Sequence, residues 1–227
     1  MAGQTGRESD VNMWESEKKD VVKAAQRMAS KGLVAGTSGN VSVRTNDSQG
    51  KSLLAITPSS RAYESMTVDD IIVVDHEGKR VEGELAPSVE TMLHVGIYRS
   101  RSKVNAIIHT HAVFSSVIAV AGTEIPPILD DQIVCIGGEI KIASYALPGS
   151  PELAANVIEA LGPRNAVVLA NHGALVVGRD MGEALTMCDL LEKTAQIYLY
   201  ALSVNRVNSI PPEMAQIEKT FFSAIYG

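Results

Sequence analysis

Two short segments, His109-Thr110-His111 and Asn171-His172-Gly173, hold three of the chain's five histidines, each at the end of an apolar run. The run Val104-Asn105-Ala106-Ile107-Ile108 reads as a buried strand. Side chains two apart in a strand leave the same face, so His109 and His111 can grip one ion together. The second run, Ala166 to Ala170, delivers His172 just before Gly173, a residue that lets the backbone turn sharply beside a ligand. Three imidazoles with an open fourth position suit catalytic zinc. The pair alone fits equally well as hydrogen-bonded polar groups at the rim of a core. The third histidine favours the metal, because buried neutral imidazoles cost free energy unless each ring nitrogen finds a partner, and one shared cation serves all three. His76, in the turn-like Asp75-His76-Glu77-Gly78, and His94, on a helix face, read as structural or solvated.

The elements that must position these groups follow from periodicity and punctuation. Trp14 to Lys31 carries Val21, Val22, Ala25, Met28 and Ala29 at helical spacing, with Gly32 as a stop. Short strands are expected at Val41 to Arg44, Leu53 to Ile56 and Ile71 to Asp75, with turn-rich segments between them. Pro87 and Ser88 open a helix running to about Arg101, and Val113 to Ala121 forms another, ended by Gly122. Ser150-Pro151-Glu152 combines a capping hydroxyl, a proline at the first helical position and an acid in the first turn, and Gly162 closes that helix. Ala174 to Gly178 is a strand and Met181 to Val204 a helix, and Pro211-Pro212 introduces a terminal helix. Strands and helices mixed throughout imply a layered α/β domain.

Composition narrows the function. A chain of 227 residues with 45% apolar content can bury one good-sized core, so residues 13–227 are expected to form one domain behind a frayed or disordered stretch, 1–12. A net charge of −6 without a basic run argues against nucleic acid as a partner. No signal region and no apolar stretch long enough to span a bilayer are present, which argues against a membrane role. Cys135 and Cys188 lack metal-ligand spacing and read as buried thiols, suited to a reducing cytoplasm.

Beyond the histidines, Glu90 stands out in the first turn of the helix opened by Pro87-Ser88-Val89-Glu90, although acids are favoured there by the helix dipole alone. The loop Gly36-Thr37-Ser38-Gly39-Asn40 exposes backbone N–H groups of the kind that cradle phosphate. Thr57-Pro58-Ser59-Ser60 is a hydroxyl-rich turn, and Ser88 adds a hydroxyl near Glu90; each also fits an ordinary turn or cap.

Taken together, these motifs resemble the class II aldolase/adducin family, whose enzyme members include L-fuculose-1-phosphate aldolase and L-ribulose-5-phosphate 4-epimerase. The likeness runs from about Val21 to the C-terminus through Gly36-Thr37-Ser38-Gly39-Asn40-Val41-Ser42-Val43-Arg44, Ile56-Thr57-Pro58-Ser59, Pro87-Ser88-Val89-Glu90, His109-Thr110-His111-Ala112 and Asn171-His172-Gly173. The resemblance implies a three-layer αβα domain with a central mixed, largely antiparallel sheet, assembled as a homotetramer with active sites between subunits. It implies one zinc ion per subunit on His109, His111 and His172, with Glu90 as resting fourth ligand and catalytic acid/base. By the same resemblance Gly39, Asn40, Ser59, Ser60 and Ser88 surround the substrate phosphate, and Tyr226, in Tyr226-Gly227, reaches the neighbouring subunit's site as a catalytic group. The activity implied is cleavage of a ketose 1-phosphate, similar to L-fuculose 1-phosphate, into dihydroxyacetone phosphate and an aldehyde through a metal-stabilised enediolate.

Within the family, glutamate at position 90 resembles the aldolases, whereas the pentose-phosphate epimerases typically carry aspartate. Val89 and Ser60 depart from the serine and glycine of the fuculose-phosphate enzyme, and Ile128-Leu129-Asp130-Asp131-Gln132 lacks its proton-donating tyrosine, a place Asp130 or Asp131 is available to take. Other members with related chemistry are 4-epimerases, methylthioribulose-phosphate dehydratases and decarboxylases. A non-enzymatic, adducin-like association domain is the reading from another class, and the retained histidines and Glu90 argue against it.

Overall fold

The computed structural model describes residues 13–227; the frayed N-terminus expected at 1–12 lies outside the described residues. Its centre is an eight-stranded sheet in the order β4-β3-β2-β1-β5-β8-β7-β6. The strands are β1 (Asn40–Asn46), β2 (Ser52–Ile56), β3 (Ile72–Val74), β4 (Arg80–Glu82), β5 (Ala106–Thr110), β6 (Ile142–Ala143), β7 (Ala166–Leu169) and β8 (Gly173–Gly178). Every neighbouring pair is antiparallel except β6 and β7, so the sheet is mixed and largely antiparallel.

Alternation along the strands divides the core in two. Val41, Val43, Ala106, Ile108, Val168 and Val176 face one side, packed by α1 (Glu15–Ser30), α3 (Val113–Ala121) and α5 (Met181–Ser203). Leu54, Ile56, Ile107, Val167, Leu175 and Val177 face the other, packed by α2 (Thr91–Ser100) and α4 (Pro151–Leu161). β5, β7 and β8 are therefore apolar on both faces along most of their length, which is why those runs read as continuous rather than alternating, whereas β1 is apolar on one face only. The result is the expected three-layer arrangement.

Local signals place the helix ends. Ser150 accepts from the Leu153 N–H and Pro151 occupies the first turn of α4, while Gly122 ends α3 in the left-handed conformation. One helix begins later than expected. α2 starts at Thr91, and Pro87 instead forms an isolated bridge with Pro58, so Glu90 is the residue that flanks the helix rather than a member of its first turn. The strands β4 and β6 and a π-helical turn, Gln132–Ile136, were not anticipated. The C-terminal helix α6 (Pro212–Tyr226) packs on that turn, with the Phe222 ring lying where a side chain on Gly137 would stand. Both cysteines are free; Cys188 is buried as expected, but Cys135 is only half-buried. No helix among the described residues is long and apolar enough to cross a membrane.

Candidate metal and active site

The three histidines reach one point from the end of β5 and from the β7–β8 hairpin turn. His109 is the penultimate residue of β5, His111 follows the strand's end, and His172 sits in the turn between β7 and β8. The pairing of Thr110 with Ala174 brings the two chain segments together. Gly173 makes this approach possible, because a Cβ there would collide with the Thr110 carbonyl and crowd the His111 ring. Ring centroids are 4.7–5.0 Å apart, and one ligand nitrogen from each residue lies within 4.8 Å of the others.

Glu90 completes the cluster. Its Oε2 lies 3.2 Å from His109 Nε2 and its Oε1 3.6 Å from His172 Nε2, while the side chain is almost wholly buried. Oε1 is buried without a hydrogen-bond partner. His109 Nδ1 lies 3.0 Å from the Ala174 carbonyl, so in the neutral ring the proton sits on Nδ1 and the Nε2 lone pair points at the cluster. His111 Nε2 is 2.9 Å from His109 Nε2. Lone pairs facing one another and a carboxylate repel unless a proton or a cation lies among them. Three imidazoles and a carboxylate form a donor set that suits zinc, and the orphaned Oε1 is the atom such an ion would satisfy.

Electrostatics keep the donors available. Burial, with His109 and His172 alongside, pushes His111 down to about 4, and burial likewise lowers His172. Burial on its own would raise Glu90, but His109, the Asn40 hydrogen bond, His172 and His94 outweigh it and hold the carboxyl below its ordinary value. The site is thus two neutral rings beside an ionised carboxylate at neutral pH.

The residues expected around phosphate are gathered beside Glu90. The Val41 and Thr57 backbones are joined through Thr57 N to Val41 O at 3.0 Å, Ser88 N donates to Thr57 O at 3.2 Å, and Ser59 N donates to Ala86 O at 2.9 Å. Ser88 Oγ accepts from the Glu90 N–H, and Ser59 and Ser60 stand side by side, Ser60 in the left-handed region at φ +58°. The Tyr63 hydroxyl pins the glycine loop by donating to Gly39 O at 2.6 Å. Asn40 stands against the carboxylate: one N–H of its amide donates to Glu90 Oε2 at 2.8 Å, leaving the second for a ligand.

Other expected groups lie elsewhere. The Tyr226 ring packs on Phe222 and under the Arg179 guanidinium, and Asp131 is exposed and paired with Lys193 at 2.6 Å. Burial pushes the Tyr226 phenol up to about 12. What the sequence reading passed over is His94, which is fully buried against Asn40 and Ser42. Its spacing of four from Glu90 and from Tyr98, one side of a helix, was the available signal.

Comparison with known proteins agrees with this geometry. Residues 19–199 match the sequence model of the family described as Class II Aldolase and Adducin N-terminal domain. The chain is 34% identical to 5-deoxy-D-ribulose 1-phosphate aldolase of Bacillus thuringiensis over 91% of its length and 96% of that protein. It is 35% identical to L-fuculose phosphate aldolase of Escherichia coli over 82% of its length and 84% of that protein. A solved structure of an L-fuculose 1-phosphate aldolase, 33% identical, superposes with a TM-score of 0.85 over 92% of this chain and 96% of that one. With its metal-ready histidine cluster, the protein belongs to the class II aldolase and adducin family and is an enzyme of the family's aldolase, and hence lyase, kind.

Proposed function

We propose that the protein is a zinc-dependent aldolase that cleaves a ketose 1-phosphate, of the fuculose or deoxyribulose type named for its relatives, into dihydroxyacetone phosphate and an aldehyde. The observation that carries this reading is the meeting of His109, His111 and His172 with a buried carboxylate that has one oxygen unpartnered. His109, His111 and His172, with Glu90 beside them, would hold one zinc ion per subunit, and such an ion would supply Lewis acidity to the sugar's carbonyl.

The chain's own residues do the rest. Backbone N–H groups around Gly39, the free amide N–H of Asn40 and the hydroxyls of Ser59, Ser60 and Ser88 receive the phosphate without a basic side chain, as befits an acidic protein. As the carbon–carbon bond breaks, the ionised Glu90 takes up the proton lost by the hydroxyl on the departing carbon, the aldehyde leaves, and Glu90 passes that proton to the carbon of the three-carbon product; in the reverse direction it removes the carbon-bound proton. Burial keeps water from Glu90, and the Asn40 bond holds Oε2 so that Oε1 faces the histidines. Tyr226, with its proton firmly held near neutral pH, offers its hydroxyl as a hydrogen-bond donor to the aldehyde oxygen at the site of a neighbouring protomer. That role requires sites between subunits, as in the homotetramer the family resemblance implies. Free thiols at Cys135 and Cys188 suit the cytoplasm as its compartment.

The test is incubation with fuculose 1-phosphate, ribulose 1-phosphate, 5-deoxyribulose 1-phosphate and ribulose 5-phosphate, with dihydroxyacetone phosphate measured as product and metal measured in the purified protein. Chelator-sensitive release of dihydroxyacetone phosphate with one zinc per chain supports the reading. Conversion to an epimer without cleavage, or full activity in metal-free protein, overturns it.

A further inference from the structure

Behind Glu90 a ladder of polar side chains joins β1 to α2. Asn40, Ser42 and Arg44 leave one face of β1 at every second residue, and Glu90, His94 and Tyr98 recur every fourth residue from the start of α2. Two strand residues advance about 6.6 Å and four helical residues about 6 Å, so the two series stay in step. The rungs follow: Asn40 Nδ2 to Glu90 Oε2 at 2.8 Å, His94 Nε2 to Asn40 Oδ1 at 2.6 Å, Ser42 Oγ to His94 Nδ1 at 2.6 Å and Tyr98 OH to Ser42 Oγ at 2.9 Å. Arg44 closes the ladder by lying over the Tyr98 ring and donating to the Tyr98 and Arg101 carbonyls.

The direction of each bond is determined by the carboxylate. An ionised Glu90 only accepts, so Asn40 turns its N–H toward it and its oxygen toward His94. His94 Nε2 must then carry a proton. Burial pushes His94 down to about 3, leaving it neutral, so Nδ1 accepts from the Ser42 hydroxyl, which in turn accepts from Tyr98. His94 is fully buried and has no surface open to a bound sugar.

We propose that His94 is a positioning residue for Glu90: by donating to Asn40 Oδ1 it fixes the orientation of the amide, and the amide fixes the carboxylate. This rests on the assignment of Glu90 as the acid/base of the aldolase. Without the His94 donor, the Asn40 amide is free to turn over and aim its oxygen at the carboxylate, and Glu90 loses its fixed place beside His109 and His172. Glutamine at position 94 can present an N–H at nearly the place of Nε2, whereas leucine cannot.

Two measurements test the proposal on the purified protein. The first needs no substrate: 15N NMR of histidine-labelled protein should show the His94 ring protonated at Nε2, with a signal that shifts in Asn40→Ala. A ring protonated at Nδ1, or a signal indifferent to Asn40→Ala, overturns the proposal whatever the reaction. The second follows exchange of the dihydroxyacetone phosphate carbon-bound proton with deuterated solvent. His94→Leu should slow exchange on the order of 10²-fold at unchanged zinc content. His94→Gln should recover most of that rate, and His94→Leu should cost little more once Asn40→Ala is present. Additive losses, or an unchanged rate in folded His94→Leu, overturn it. A native protein that exchanges no proton defeats the aldolase reading alone, and the NMR result then decides the ladder by itself.

Discussion

Asn40 and His109 are register partners across β1 and β5, so the amide that holds Glu90 and an imidazole of the cluster leave the sheet side by side. The support of the proposed acid/base and one candidate metal donor are therefore held by one antiparallel pairing. A shift of one residue in that register would put the two on opposite faces of the sheet.

Glu90→Gln keeps the shape of the side chain and removes its charge. Zinc should remain on the histidines, since the three rings supply the stronger donors. Proton exchange on dihydroxyacetone phosphate should fall by about 10²- to 10⁴-fold. Elemental analysis and exchange into deuterated solvent check the two halves; full exchange in the variant would remove Glu90 from the chemistry.

Gly39 has φ +76°, and a Cβ there would stand 2.6 Å from the His109 carbonyl. Gly39→Ala should therefore combine left-handed strain with displacement of β5 beside His109, costing roughly 2–3 kcal/mol and weakening zinc binding. Gly36, at φ +62° with nothing within 4 Å of its Cβ position, is the control. Gly36→Ala should cost only the strain, about 1–2 kcal/mol. Denaturant melts with zinc titration compare the two, and equal effects would show that the close approach is unimportant.

Glu192, on α5, caps a helix from outside it: its oxygens accept from the Phe114 N–H at 2.7 Å and the Ser115 N–H at 2.9 Å. These are first-turn donors of α3, which begins two residues after His111. Glu192→Ala should cost about 1–2 kcal/mol, or roughly 2–6 °C in Tm. Zinc should also dissociate faster, because the chain leaving His111 is less firmly held. A variant with native Tm and native zinc retention would show that water caps α3 equally well.

Glu139 links α6 to the end of the sheet through Arg164 and through Lys219 at 3.1 Å. Partial burial opposes its ionisation, but hydrogen bonds from Arg164, its own backbone and Lys219 prevail and depress the carboxyl from 4.5 to about 2. A folded-state value below the unfolded one means stability that is fully present above about pH 4.5 and lost as pH falls toward 2. The Tm gap between the native protein and Glu139→Gln should be constant from pH 7 to 5 and close on further acidification. Differential scanning calorimetry across that range is the measurement, and a gap that widens in acid would contradict the ion pairs.

Much of the site was legible because its signals are local. The two-residue spacing of His109 and His111, the glycine after His172 and the proline, serine and glutamate before α2 each report on a few neighbouring residues. Ser150, Pro151 and Gly122 marked helix ends for the same reason. β4 and β6, three and two residues long, were illegible because so short a strand has no period to read. The start of α2 was read early because Pro87 is a good first helical residue; the tertiary bridge to Pro58 claimed it instead.

The sequence alone determined which side chains are able to hold a metal and move a proton, because donor type and local spacing are properties of the chain. Tertiary structure decided that they meet. The β5–β8 register that brings His172 to His111, and the β1–α2 packing that turns Asn40 toward Glu90 and buries His94 behind it, join residues fifty or more positions apart. Such contacts depend on which strands pair and on which face of a helix is buried, and these are settled by the packing of the whole sheet rather than by any short run of residues.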